Sequence, residues 1–420
     1  MRHVHVIGAG LAGLSAALSL TAAGRGVTLH EAGPAAGGRC RSYFDRELGI
    51  RIDNGNHLLL TGNKDAFAFI AEIGSTALFG GPKLPVFPFM DIKSGERWRV
   101  RPNLGRIPWW IFAKGRRVPD TRLADYLEMR GIAKIEGDKP VTDAMRRGKL
   151  YWRLVEPLAV AALNTHPQAG LARLLGAVMR ETLLKGGKFC IPRFPADGLS
   201  EALIDPAVAK LRERGAEVRL SSRIDAIRVE DGRVAAIGTT GGQIDIGPDD
   251  AVVLAVPPWA AMDLLPGLTA PDHYEAILNL HYKLDADPEG PLAETGFLGV
   301  LSGTAEWIFA KKGHISVTVS AANELVDDSA DDLAAVVWLN VRDALNLPVE
   351  MDLEIPPYRV VKEKRATFAA TAAQERRRPD ARTNVLNLVL AGDWTNTGLP
   401  ATIEGAIRSG RTAAQILLAA

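Results

Sequence analysis

The chain has 420 residues, 47% of them hydrophobic and 24% charged, values that exclude a disordered, collagen-like or disulfide-scaffold protein. This length outgrows one simple core, so two closely joined lobes are expected. Fifty Lys and Arg against 49 Asp and Glu leave a formal net charge of +1, which gives the whole molecule no field suited to wrapping a nucleic acid.

The first thirty residues are the most legible. Residues 3–7 alternate as a strand, Gly8-Ala9-Gly10 turns it, residues 11–23 have the pattern of a helix, and a second strand at 27–30 ends at Glu31. This is a βαβ unit of about thirty residues, the length such a crossover needs. Within it, Gly8-x-Gly10-x-x-Gly13 lies between strand and helix. In that setting Gly8 permits the tight turn, Gly10 lets backbone approach a pyrophosphate, and Gly13 lets the helix lie close to the sheet. Glu31, at the end of the second strand, can accept hydrogen bonds from a ribose diol and repels a 2′-phosphate, so NADP is disfavoured. The turn alone does not separate FAD from NAD. Gly37-Gly38-Arg39-Cys40-Arg41-Ser42 follows closely and supplies a flexible loop and a guanidinium for charge-assisted bonds to phosphate or flavin.

Further along, Pro82, Pro85, Pro88, Pro102, Pro108 and Pro119 break any long element between 79 and 152, a stretch expected to form an inserted lobe. Helical periodicity returns at 123–130, 154–163, 171–184 and 199–214. Strands are expected at 217–220, 224–229 and 234–239, the last two joined by Asp231-Gly232. Residues 251–256 are apolar throughout, as for a buried strand, and Pro257-Pro258 ends it. Mixed strands and helices are expected over 270–370, a buried strand at 385–391, and a closing helix from about 401. Asp393 stands at a strand's carboxyl edge, where open α/β sheets bind ligands. The helix after Thr402 carries small residues at Gly405, Ala406, Ser409 and Gly410, which allow close approach of a ring system and place a helix N-terminus beside it.

The two cysteines, Cys40 and Cys190, form no Cys-x-x-Cys. That argues against structural zinc and against secreted disulfides, and a reducing cytoplasm is the expected compartment. The histidines show no metal spacing, so no metal is expected. The opening residues lack the pattern of a signal peptide, and no stretch offers about 18 uninterrupted apolar residues to span a bilayer. Between Arg97 and Arg153, however, 15 Lys and Arg face six Asp and Glu, a local net of +9, and four of the eight tryptophans (Trp98, Trp109, Trp110 and Trp152) lie there. Ile107-Pro108-Trp109-Trp110-Ile111-Phe112 followed by Lys114, Arg116 and Arg117 has the character of an interfacial anchor, with an apolar wedge and cations for anionic headgroups. The competing expectation is that these tryptophans fill a core and the cations solvate its rim.

Taken together, the glycine turn, the Gly38-Arg39 loop and Gly392-Asp393 with Thr402 to Gly410 resemble the FAD-binding fold of the amine-oxidase and phytoene-desaturase superfamily. Gly215-Ala216-Glu217-Val218 is similar to its adenine-side segment. More narrowly, Asp53-Asn54-Gly55-Asn56-His57-Leu58-Leu59, Glu156-Pro157-Leu158 with Ala161-Ala162-Leu163-Asn164-Thr165, and the segment from Ala391 through Gly398-Leu399-Pro400 to Ala406 resemble the squalene-associated FAD-dependent desaturase group. That group's described activity is hydroxysqualene dehydroxylation.

The resemblance implies an α/β chain with a Rossmann-type FAD domain assembled from 1–75, 196–262 and 376–420. A substrate lobe is implied from 76–195, mostly helical, and 263–375, of mixed strands and helices. It implies FAD contacts from Gly8, Gly10, Leu11, Ala12, Gly13, Glu31, Ala32, Gly38, Arg39, Asn54, Gly55, Val218, Gly392, Asp393, Thr402, Ile403 and Ala406. The implied substrate is a C30 isoprenoid alcohol, with an outside electron donor, since no second nucleotide fingerprint is present. His57 is the first candidate for the general acid, because its loop is placed beside the flavin. Asp53 competes for that role or fixes the loop, pairing with Arg39 or Arg41, and Asn56 stands where the group carries Gln. Asp393 is implied as a ligand of the FAD pyrophosphate or ribityl chain, and Glu404 as a cap of its own helix. The rival activities are an oxidative isoprenoid desaturase or amine oxidase of the same fold, and a non-catalytic isoprenoid-binding escort.

Overall fold

Val252, Val253 and Leu254 are fully buried because Ala251–Leu254 is an interior strand of a five-stranded sheet. The computed structural model describes residues 2–284, 291–345 and 354–419. Across this sheet the order is Glu217–Arg219, Gly26–His30, His3–Ile7, Ala251–Leu254 and Leu388–Leu390, every neighbouring pair parallel. Ile7 stands beside both His30 and Leu254, and Leu254 beside Leu390. The carboxyl ends are therefore aligned, and Gly8, Glu31 and Ala391 leave the sheet at one edge, the edge where such sheets bind ligands.

The helices Leu11–Ala22 and Ile403–Leu418 join the two ends of the chain against this sheet. They approach as closely as Gly410 allows, since a Cβ there would lie 2.1 Å from the Ala12 carbonyl oxygen. Beside that crossing the Ser15 hydroxyl donates to the Ile407 carbonyl at 2.8 Å. The expected helix at 199–214 begins as a π-helical turn at Ser200–Ile204 and continues as Asp205–Glu213 on the same core. The hairpin through Asp231-Gly232 joins Ile224–Glu230 to Arg233–Thr239 and gains a third strand, Gly242–Asp245. The expected strands at 251–256 and 385–391 are shorter, ending at Leu254 and spanning only Leu388–Leu390.

The second sheet has seven strands in the order Tyr358–Phe368, Tyr274–Lys283, His314–Val319, Trp307–Lys311, Phe297–Leu301, Phe87–Asp91 and Arg97–Val100. One face buries Leu278, Leu280 and Val317 against Val337, Trp338 and Val341 of the helix Ala330–Leu345. The opposite face carries Phe89, Phe297, Trp307 and Phe309 into a core shared with Leu123–Ile132, Glu156–Leu163 and Ala172–Glu181. Parts of the mixed segment expected at 270–370, namely 285–290 and 346–353, lie outside the described residues.

The stretch from 79 to 100, expected within a mostly helical lobe, forms strands instead. Pro82, Pro85 and Pro88 stop a helix, and Phe89 stands directly opposite Trp98 with the rings stacked at 5.7 Å, the kind of cross-strand pair that stabilises a sheet. Replacing Gly410 by Ala drives a methyl group into the Ala12 carbonyl. We expect a loss of about 1–3 kcal/mol, typical of overpacking, read as a lower unfolding midpoint in urea.

Candidate functional site

At the aligned edge the backbone is shaped by glycines. Gly8 has φ +104°, and a Cβ there would meet the Ala255 carbonyl oxygen at 2.6 Å; one on Gly13 would meet the Gly8 carbonyl oxygen at 1.9 Å. Gly10 faces no atom within 4 Å of a Cβ position, so the turn is tight beneath and open above. Leu11 and Ala12 are buried and offer the opening only the N-terminus of their helix. The Glu31 carboxylate accepts the Ala9 N–H at 2.8 Å and the Gly33 N–H at 2.9 Å. It thereby fastens the glycine turn to the end of the next strand, with Ala32 exposed beside it. Val218 pairs with Leu29 on the neighbouring edge strand.

The arginine loop is tied to the same turn: Gly37 N–H donates to the Ala9 carbonyl at 2.8 Å, and the Gly38 Cβ position lies 3.6 Å from Gly10 Cα. From there Arg39 reaches across. Its Nη2 donates to both Asp393 oxygens at 2.7 and 2.8 Å, and its Nη1 donates to the Ala366 carbonyl at 2.5 Å. The Asp393 side chain is 8% exposed. Behind it Arg378, almost fully buried, donates to the carbonyls of Asp393, Thr395 and Leu399 and to the Thr397 hydroxyl, so one guanidinium holds the loop that follows Gly392. Gly392 N–H donates to Ser409 Oγ at 2.8 Å. Thr402 caps the last helix by accepting the Gly405 N–H at 3.0 Å. Ile403 is buried in the core and Ala406 half-buried, so Ile403 presents backbone rather than side chain at this end.

The Asp53 to His57 loop lies against the second sheet. Asn54 N–H donates to the Arg41 carbonyl at 2.9 Å, and its side chain donates to the Arg39 carbonyl at 3.2 Å. Asn279 donates to the Asn54 carbonyl at 3.1 Å and lies 3.0 Å from the Cβ position of Gly55. Asn56 donates to Ser316 Oγ at 2.7 Å and Thr318 Oγ1 at 3.0 Å, which makes it an anchor of the loop. Burial pushes the His57 imidazole down to about 4, the Asp53 charge pulling the other way, so this ring is neutral at pH 7.

Asp53 is committed elsewhere: its Oδ1 accepts from Ser42 Oγ at 2.7 Å and Leu199 N–H at 2.9 Å, and Oδ2 pairs with Lys311 at 3.3 Å. The expected pairing with Arg39 or Arg41 is replaced by one with Lys311, because the strand Trp307–Lys311 brings that ammonium under the loop. Glu404 likewise serves another helix than its own, accepting the N–H groups of Asp65 and Ala66 at 3.1 and 2.8 Å and pairing with Arg408.

The tryptophans of the basic segment divide. Trp98 and Trp110 are core residues at 6% and 4% exposure, whereas Trp109 and Trp152 are 63% and 46% exposed. Ile107 and Phe112 stand beside Trp109, each 60% exposed. Arg101, Arg106, Lys114, Arg116 and Arg117 have no carboxylate partner among the described residues. Lys188 N–H bonds the Leu104 carbonyl at 3.1 Å and adds its charge to the same surface. Among the described residues no group of His, Cys, Asp and Glu has the arrangement of a metal site. His5 and His30, on adjacent strands of the five-stranded sheet, are buried partners at 3.2 Å.

Residues 11–284 and 303–418 match the model of the flavin containing amine oxidoreductases. The chain belongs to that family. It is 48% identical to the hydroxysqualene dehydroxylase of Rhodopseudomonas palustris over 99% of this chain and 98% of that protein. It is 42% identical to the enzyme of the same name from Zymomonas mobilis over 100% and 99%. An oxidoreductase from Methanosarcina mazei shares the fold with a TM-score of 0.74 at 16% identity, covering 99% of this chain and 100% of that one.

For a member of the flavin amine oxidoreductase family, the opening above Gly10, the Glu31 carboxylate and the Arg39–Asp393 bridge fit a flavin nucleotide. Backbone N–H groups and a helix N-terminus are suited to phosphates, and the Glu31 carboxylate would suit a ribose. Sequence reasoning missed Lys311, Asn279 and Arg378; the alternation Trp307, Phe309, Lys311 is the one signal that places the lysine on the aromatic face. Lys311 and Asp53 are 7% and 6% exposed, so Lys311→Met should cost about 3–5 kcal/mol by stranding a buried carboxylate. Adding Asp53→Asn should recover most of that loss in urea unfolding.

Proposed function

We infer that this chain removes the allylic hydroxyl of hydroxysqualene and replaces it with hydride to give squalene, with FAD as its resident cofactor. The observation that carries this is full-length identity of 48% to a hydroxysqualene dehydroxylase, joined to a site whose glycine turn, Arg39 and Asp393 converge. On this reading residues 1–75, 196–262 and 376–420 make the FAD domain, and 76–195 and 263–375 the substrate lobe.

When bound, the reduced flavin supplies the hydride. The chain's own residues do the rest. Glu31 and the N–H groups after Gly10 hold the nucleotide, Arg39 and Asp393 fix the two loops that flank it, and Asn279 with Asn56 sets the Asp53 to His57 loop. Hydroxide is a poor leaving group, so a proton must reach its oxygen as the C–O bond breaks, a contribution of about 10²- to 10⁴-fold. The neutral His57 ring adds no charge to that loop. Phe194, Phe297, Trp307 and Phe309 form an aromatic wall that keeps water from the allylic cation, which would otherwise return to alcohol. Anaerobic incubation of the reduced protein with hydroxysqualene should yield squalene and oxidised flavin. Unchanged alcohol with flavin still reduced would favour an oxidative desaturase or amine oxidase, and protein that takes up no flavin would favour an escort.

Among the described residues no helix is long and apolar enough to cross a membrane. We propose that the surface of Ile107, Trp109 and Phe112, ringed by Arg106, Lys114, Arg116 and Arg117, docks on an anionic bilayer and draws the substrate from it. A C30 chain is confined to lipid at about 0.8 kcal/mol per CH₂ transferred from water. An external reductant meets the protein there or in solution. In flotation with phosphatidylserine vesicles the protein should rise with the lipid at low salt, and Trp109→Ala with Phe112→Ala should abolish this while leaving the fold intact. Flotation unaffected by those changes would remove the proposal.

A further inference from the structure

The loop at 53–57 leaves the proton unassigned: Asp53 is spent on Ser42, Leu199 and Lys311, Glu404 on a helix and Arg408, and His57 is neutral. Three carboxyl groups outside that loop, those of Asp91, Glu156 and Glu306, line one cavity, and of these Glu306 is the one bonded to the elements that hold the loop. Glu306, at the start of the strand Trp307–Lys311, borders a cleft of about 600 Å³ together with Trp152, Val160, Val300 and Trp307. The cleft lies between the helix Glu156–Leu163 and the ends of the sheet strands. Trp307 belongs both to this cleft and to the aromatic wall with Phe297 and Phe309.

Glu306 is also tied to the elements that hold the 53–57 loop. Its Oε2 accepts the Ser320 N–H at 2.7 Å. Two residues earlier Thr318 receives Asn56, and one residue later Ala321 N–H donates to Asn164 Oδ1 at 2.7 Å, so this carboxyl group shares its supports with the Asn56 anchor and with Asn164. No cation pairs with it among the described residues. Burial pushes the Glu306 carboxyl up to about 7, only partly offset by the bonds from Ser320, so a large share of it is protonated at neutral pH. A carboxyl taken out of solvent without a counter-ion is the setting in which a side chain keeps a proton to give.

We propose that Glu306 is the general acid of the dehydroxylation, its carboxyl proton passing to the hydroxyl oxygen of an allylic alcohol seated in this cleft. The proposal rests on the dehydroxylase reading. The C–O bond breaks as the new O–H bond forms and water leaves. The carbon takes the hydride, so the alcohol is reduced and the flavin gives up two electrons. Glu306 is left as a carboxylate and regains its proton from solvent. The other titratable groups lining the cleft are Asp91, Lys149, Arg153, Glu156 and His166.

The test is anaerobic single turnover with flavin-reduced, full-length protein. Glu306→Gln should retain flavin and lose about 10²- to 10⁴-fold in rate with hydroxysqualene. An acyl ester of the same carbon, whose leaving group departs without a proton, should return the variant close to the wild-type rate; a merely structural defect would not be rescued in this way. Because the acid acts in its protonated form, the wild-type rate should fall as pH rises past about 7, and Glu306→Gln should lack that alkaline limb. Glu306→Asp should keep the limb with an intermediate rate. A Glu306→Gln protein that turns over the alcohol as fast as wild type, or one the ester fails to rescue, overturns the assignment. Wild-type protein that leaves the alcohol untouched overturns the dehydroxylase reading and this proposal with it.

Discussion

Arg39 and Asp393 are separated by 354 positions in the chain and meet through two hydrogen bonds donated by one nitrogen. Each end of this bridge is the tip of a loop that has little other reason to approach its partner. The Arg39 loop is held to the glycine turn through Gly37, and the Asp393 loop is gathered by the buried Arg378. A charge-assisted contact to a nearly buried carboxylate gains from the low local polarity. The bridge borders the opening, next to the aligned strand ends and the cap at Thr402.

The lobe of the seven-stranded sheet is built on a different economy of charge. Its sheet presents aromatic rings on one face, and the charges near that face are either cancelled, as Lys311 cancels Asp53, or held neutral, as His57 is. Polar atoms at the loop are amides and hydroxyls, from Asn54, Asn56, Asn279, Ser316 and Thr318, and they hydrogen-bond one another. Such a shelf can hold a rigid loop next to an apolar cavity without offering ions that would keep water bound. That suits a reaction in which a cation must wait for hydride.

Much of the nucleotide half was legible in the sequence because its determinants are local. A strand, a glycine turn, a helix and an acid at fixed spacing can be recognised without knowing what lies opposite. The family motifs carried Arg39, Asp393 and the 53–57 loop for the same reason. Pairings across the chain were not legible: nothing near Asp53 announces Lys311, and nothing near Glu404 announces the helix at Lys64–Glu72 that it caps. The strands at 87–100 were hidden by their prolines, and the two buried tryptophans could not be told from the exposed pair by composition, since burial depends on which residues face the neighbouring helices. Glu306 stands in no motif, and its setting arises only when the sheet and the helical segment enclose it.

The parallel pairing of Leu388–Leu390 with Ala251–Leu254, and the crossing of the final helix at Gly410, also govern how the protein is made. Until residues 388–418 are in place, the helix after the glycine turn has no cover on the flank that Ile407 and Ala414 will later occupy. Contacts between such distant stretches form late and slowly. The growing chain therefore carries an oily flank until that segment packs, a liability that calls for chaperone protection. It follows that this part of the core closes only once residues 388–418 have folded back onto the first helix.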